Sequence, residues 1–247
     1  MAAGFTGKSL TIQKGAPASD GTVMPFTYVG CKITDWEIAV STGAIAQLTI
    51  NVDGRNELGG AGNSDPLNGS VPTLATFSLP TGGRGTEEFH FRQATLFTGG
   101  TPTVASNIVS LTGATAAANV LSASVKQTLS LDDARYFLNG NGFKSEQIEN
   151  GFRSITGQLT AEWLSTAAMY NAFAADTTTS LQLTFTGPVV STSNYLLDII
   201  IPNIKLDGES PKAGGPQIVQ QAVSFTGLDD ESTTPIQIIL QNEDTTL

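Results

Sequence analysis

A mainly β fold is predicted for this chain: a β-sandwich or barrel-like assembly of strands with one flanking α-helix at about residues 166–175. Two observations predict it. Apolar residues recur with a period of two in many separate segments, the mark of strands with one covered face. Helical spacing of apolar residues stands out in one short stretch, and a lone helix packs most simply on one flank of a sandwich.

The elements follow in order. Leu10 and Ile12 alternate with Ser9, Thr11 and Gln13. In FTYVGCKITDWEIAV (26–40), Cys31 and Ile33 share one phase, whereas Trp36, Ile38 and Val40 share the other. That switch around Asp35 predicts a bulge or a strand crossing between two sheets. Ala46, Leu48, Ile50 and Val52 then face one side of a strand, with Gln47, Thr49, Asn51 and Asp53 on the other. This strand is expected to be half-buried. Alternation returns at Leu121–Leu131, at Ile155–Trp163 and at Leu181–Phe185. The run YLLDIIIPNIKL (195–206) is apolar on both faces, so it is expected to be covered on both sides and kinked or ended at Pro202. Val219, Val223 and Phe225 mark one further strand; Ile236, Ile238 and Leu240 mark the last. Trp36 and Trp163 each share a phase with apolar neighbours and are expected in the core. For the helix, Ser165 or Thr166 supplies the cap, and Met169, Ala172 and Phe173 form one stripe within Ala167–Ala175.

Two segments lack such a pattern. Residues 54–80 are rich in glycine and proline, and residues 98–119 are similarly soft. Both are expected to be long loops, and 54–80 to order only against a neighbour, because ordering glycine is entropically costly. No linker divides the chain, so residues 1–247 are expected to form a single domain.

Composition bounds the function. Charged residues are 14% of the 247, against roughly 25% in ordinary soluble domains. Thr, Ser, Gly, Asn and Gln take the polar positions, a surface suited to contact with other subunits. The net charge of −10 and pI near 4.4 argue against binding to phosphate backbones or anionic membranes through basic clusters. The negative charge is uneven: residues 196–247 carry eight acids against Lys205 and Lys212. Cys31 stands alone, so neither an internal disulfide nor a cysteine zinc site is available, and it is expected as a small buried hydrophobe. MAAGFTGKSLTIQKG has no apolar core of a signal peptide, and Leu196–Ile201 is too short to span a bilayer. The chain is therefore expected to be made in a cytoplasm and to stay soluble.

Residues able to carry chemistry are few. His90 is the sole histidine and lies between Phe89 and Phe91, where a strand residue is expected rather than a triad base. GGRG (82–85) lacks the lysine and hydroxyl of a phosphate loop. Glu87–Glu88 and Asp132–Asp133 are paired acids, but with aromatics at 7% no sugar cleft is marked. Asp229, Asp230 and Glu231 lack the spacing of a calcium loop and are expected as a solvated turn. No catalytic, cofactor-binding or metal-binding residue is assigned, and no enzyme is predicted.

Several strings in order resemble the major tail tube proteins of long-tailed, non-contractile bacteriophages. They are FTGKSLTIQKG (5–15), TYVGCKITDWEIAVSTGAIAQLTINVDGR (27–55), ARYFL (134–138), IENGFRSITGQLTAEW (148–163), LTFTGP (183–188) and IIIPNIKLDGESPKAGGPQIVQQAVSFTGLDD (199–230). Residues 56–80 and 98–119 match least. The resemblance implies a virion structural protein, made in the host cytoplasm, whose copies close into six-membered rings. The rings stack along a tape-measure protein, meet other tail proteins, and form the conduit through which genomic DNA passes without specific binding. It also implies a longer arm before FTGKSLT than the MAAG present here, so the chain is either a short natural version or a truncated one. A second reading is a β-sandwich binding module of carbohydrate-binding or adhesin type, which needs an exposed aromatic platform.

Overall fold

The computed structural model describes residues 9–59, 88–132, 134–138, 142–164, 168–190, 193–208, 211, 215, 216 and 218–242. In chain order the strands are β1 (Leu10–Pro17), β2 (Val23–Ser41), β3 (Gln47–Asp53), β4 (Asn56–Gly59), β5 (Ala94–Thr98), β6 (Thr101–Ala105), β7 (Ile108–Thr112), β8 (Thr115–Ala116), β9 (Val120–Thr128), β10 (Leu131–Asp132), β11 (Ile148–Glu149), β12 (Ser154–Glu162), β13 (Thr178–Val190), β14 (Ser193–Gly208), β15 (Gln220–Gly227) and β16 (Gln237–Gln241). A 3-10 turn covers Phe91–Gln93, and the one α-helix among the described residues, α1, covers Ala168–Ala174. The protein is mainly β with one short helix, as expected.

The chain divides into two compact units, each built from three stretches: Met1–Trp36, Ile50–Thr81 and Thr128–Arg153 in the first, and Glu37–Thr49, Gly82–Gln127 and Ser154–Leu247 in the second. In the first unit the front half of β2 runs between β1 and β4, antiparallel to both. The β10–β11 pair forms a separate two-residue ribbon. β2 is continuous, yet its burial changes phase: Thr27 and Cys31 are buried, then Trp36, Ile38 and Val40. The unit boundary falls at Trp36, within this phase change. One strand therefore serves both units, which is the physical content of the switch around Asp35.

The second unit holds the larger core. β12, β15, β14, β13, β5 and β8 are hydrogen-bonded in that order, with β16 also on β14. Leu181, Leu183 and Phe185 of β13, Ile199, Ile201 and Ile204 of β14, Leu159 of β12 and Phe225 of β15 are all buried. Ile200 is buried too, so β14 is covered on both faces as its sequence demands. Pro202 neither ends nor breaks it. On one side β14 pairs with β16 up to Ile200 and with β15 from Ile204. On the other, its register with β13 shifts between Leu181–Ile201 and Thr179–Ile204. The proline, which has no N–H to donate, thus sits where partners change and a bulge absorbs it. Gly157 of β12 is required by close approach: a Cβ there would lie 2.2 Å from both the Ser124 carbonyl oxygen and the Phe225 ring.

Several expectations are corrected. Residues 98–119 are not a loop: β6 and β7 form a hairpin around Ser106 and Asn107, both at positive φ (52° and 63°). A two-residue turn of that kind matches the strand twist. The segment 54–80 opens with β4; residues 60–80 lie outside the described residues. β3 forms, but Leu48, Ile50 and Val52 are exposed rather than half-buried. β16 is inverted: Ile238 and Leu240 are exposed, because Gln237 turns inward and its side-chain oxygen accepts the Val109 N–H. Trp36 is 9% exposed and belongs to the core, whereas Trp163 is 36% exposed. β12 ends at Glu162, so its alternation does not extend to Trp163. Ser165, Thr166 and the Met169 side chain lie outside the described residues; α1 packs on β14.

Candidate assembly surface

The residue types that could carry chemistry are committed to structure. His90 bridges to Ile45 and caps the 3-10 turn: its N–H donates to Gln93 Oε1 (2.7 Å), and its ring accepts from the Arg92 N–H. It is thus a capping residue rather than the strand residue expected. Asp198 is buried in β14, where its carboxylate accepts two hydrogen bonds from Gln182 Nε2 (3.0 and 2.9 Å) and one from Thr184 Oγ1 (2.8 Å). Cys31 is buried, and burial pushes its thiol above the ordinary value. In the acidic turn, Asp230 Oδ1 accepts the N–H groups of Thr233 and Ser232 and the Thr233 hydroxyl. Those bonds, the Thr233 N–H first, hold its carboxyl well below the usual carboxylate range. Of the paired acids, Glu87 and Asp133 lie outside the described residues, as does the GGRG string. No group of three or more His, Cys, Asp and Glu among the described residues is placed to hold a metal ion.

The first unit contains a buried polar cluster instead. Lys32 of β2 donates to Glu146 Oε1 (2.6 Å) and to the Gln147 carbonyl (2.7 Å). Lys144 pairs with Asp53 at the end of β3. Gln147 Nε2 donates to the Asp53 carbonyl (3.0 Å) and Oδ2 (2.8 Å), and Arg55 Nε donates to the Lys144 carbonyl (2.9 Å). A buried charge is costly unless paired and hydrogen-bonded. Here the partners are supplied, and they staple residues 144–147 to β2 and to the β3–β4 corner. Sequence reasoning missed this cluster, because its members are spread from residue 32 to residue 147 with no local spacing to mark them.

Among the described residues, several large apolar side chains are exposed in groups. Leu48, Ile50 and Val52 share a face of β3 at 59, 45 and 42% exposure. Ile238 and Leu240 do the same on β16, and Tyr136, Phe137 and Leu138 project from the segment between β10 and β11. The second unit also has a cavity of about 420 Å³ lined by Ala116, Leu159, Glu162, Trp163, Ala172 and Leu206 among others. Beside it Trp163 meets Tyr170 edge-on, ring centroids 5.2 Å apart.

No curated protein is significantly similar in sequence to this chain. Among solved structures, a double tryptophan mutant of the Hcp1 protein from E. coli pathovar EAEC 042 aligns with 60% of this chain and 98% of its own, at 13% identity and a TM-score of 0.27, a likeness too slight to fix the fold. Residues 1–227 match the phage tail tube proteins. With a match over so much of its length, the chain belongs to the phage tail tube protein family.

Proposed function

We propose that residues 1–247, both units together, act as one tail tube domain whose copies close into six-membered rings. The rings stack around a tape-measure protein, join other tail proteins in the virion, and enclose the path of DNA ejection. One observation carries this reading. β3 has the alternation of a half-buried strand, yet its apolar face is open in the single chain. A face specified as covered and left uncovered calls for a partner, and a further copy of the same chain supplies one without closing the contact pairwise. The role is structural, not enzymatic.

The acids of the C-terminal stretch extend the reading to the bore. Asp207, Asp229, Asp230 and Glu231 are exposed and Glu209 lies outside the described residues, whereas Asp198 is consumed inside the sheet. Repeated around a ring, exposed acids on the lumen wall repel phosphates over a Debye length of about 8 Å, so DNA slides without traps. A structure of the assembled tube with these four residues outside a neutral or basic bore would remove this part alone.

Electron microscopy of the purified protein tests the assignment: hollow tubes or rings are expected, and dispersed subunits at high concentration contradict it. The binding-module reading retains one favourable observation, the exposed Trp163 beside Tyr170 at the cavity mouth. Glycan binding lost on Trp163→Ala, together with an absence of tubes, would favour that reading.

A further inference from the structure

Tyr136, Phe137 and Leu138 are three consecutive bulky apolar residues, exposed by 63, 60 and 97%. The segment that carries them is held at its base. Leu131 and Asp132 pair with Glu149 and Ile148, and the Ser145 N–H donates to the Arg135 carbonyl (2.8 Å). Arg135 in turn donates to the Glu146 carbonyl and lies 5.4 Å from the Phe137 ring centroid. Lys32 fixes Glu146 and Gln147 from below. With a whole aromatic side chain worth about 150–250 Å², the three expose on the order of 400 Å². That equals the largest apolar patch of a typical monomer and is about half of the ~800 Å² each partner contributes to a stable interface.

The same unit has a mostly apolar, partly open cavity of about 250 Å³ lined by Leu10, Cys31, Ile33, Leu129 and Leu131, with Ser9, Lys32 and Glu149 completing its wall. An apolar cavity of about 150 Å³ already accepts benzene, so this one has room for a leucine side chain and part of a ring. We propose that the Tyr136–Leu138 tip of one copy seats in this cavity on a second copy. Each copy carries both knob and hole, and among the described residues neither its tip nor its cavity is covered by its own chain. On the tail tube reading the contact is heterologous, so it repeats from copy to copy rather than closing as a reciprocal pair. The proposal rests on the tail tube reading and names one surface through which that assembly is made.

Two experiments test it. The combined variant Tyr136→Ser, Phe137→Ser, Leu138→Ser should fold and melt as the parent does, since the residues are exposed. The protein concentration needed for tubes or rings should rise more than roughly tenfold, the equivalent of about 1.4 kcal/mol. Separately, a benzophenone amino acid at position 138, irradiated in the assembled protein, should cross-link to Leu10, Ile33 or 129–131 of another copy, as read by mass spectrometry of mixed light and heavy chains. Assembly of the triple variant at the parent's concentration, or cross-links confined to one chain or to other surfaces, overturns the proposal and leaves the tube assignment standing. A parent protein that forms neither rings nor tubes overturns both.

Discussion

Strands β13 and β3 carry the same alternation and end in opposite surroundings. Leu181, Leu183 and Phe185 of β13 are sealed inside the second unit, where β14 and β5 flank the strand. Leu48, Ile50 and Val52 of β3 stand open along a strand with no buried residue. Alternation specifies a face that needs cover, and it is silent about who provides it. In β13 the chain covers itself. In β3, on the tail tube reading, a second copy does. Substitutions on the two strands should consequently separate stability from assembly.

The largest effect is expected in β13. Phe185→Ala should lower the unfolding free energy by about 3–5 kcal/mol, as for other buried aromatic truncations, measured by chemical denaturation of the dissociated subunit. The two tryptophans sharpen the contrast. Trp36→Ala should also cost about 3–5 kcal/mol, whereas Trp163→Ala, already partly exposed, should cost about 1–2 kcal/mol; equal losses would mean that exposure does not govern the cost. Lys32→Met should fall between, about 1–3 kcal/mol, because it leaves the Gln147 carbonyl buried without its donor. The smallest stability effect belongs to β3: Leu48→Ser with Ile50→Ser should shift the subunit by less than about 0.5 kcal/mol while abolishing tubes in electron micrographs. A large loss of subunit stability would show that β3 is covered by its own chain.

The same contrast explains what was legible. β12, β13, β14 and β15 could be read from the sequence because large apolar residues on them meet cover from the same chain. The helix was legible for a related reason, as α1 packs on β14 of the same chain. β6 and β7 were missed because TPTVA holds one large apolar residue, Val104, and Ile108 and Val109 of IVSLT are consecutive, which blurs the alternation; the informative signal was the Ser106–Asn107 turn between them. β16 was placed correctly but inverted, since a hydrogen bond from a distant strand, Val109 to Gln237, outweighed the preference of Ile238 for the inside. Trp163 was misplaced because the phase of β12 was carried one residue beyond its end. The polar cluster around Lys32, Lys144 and Gln147 had no local pattern at all. The absence of catalytic or ligand assignments in the sequence reading is compatible with a surface-borne function, since an assembly surface is written in exposure, a property that alternation alone does not encode.

The central claim, that the open face of β3 is covered by another copy, is tested most directly by hydroxyl-radical footprinting. Oxidation of Leu48, Ile50 and Val52 should be measured in dissociated subunits and in purified tubes, with buried Leu183 as the internal reference. The account predicts ready modification of all three in subunits and strong protection in tubes, with Leu183 protected in both. Equal modification of the β3 residues in the two states would contradict it.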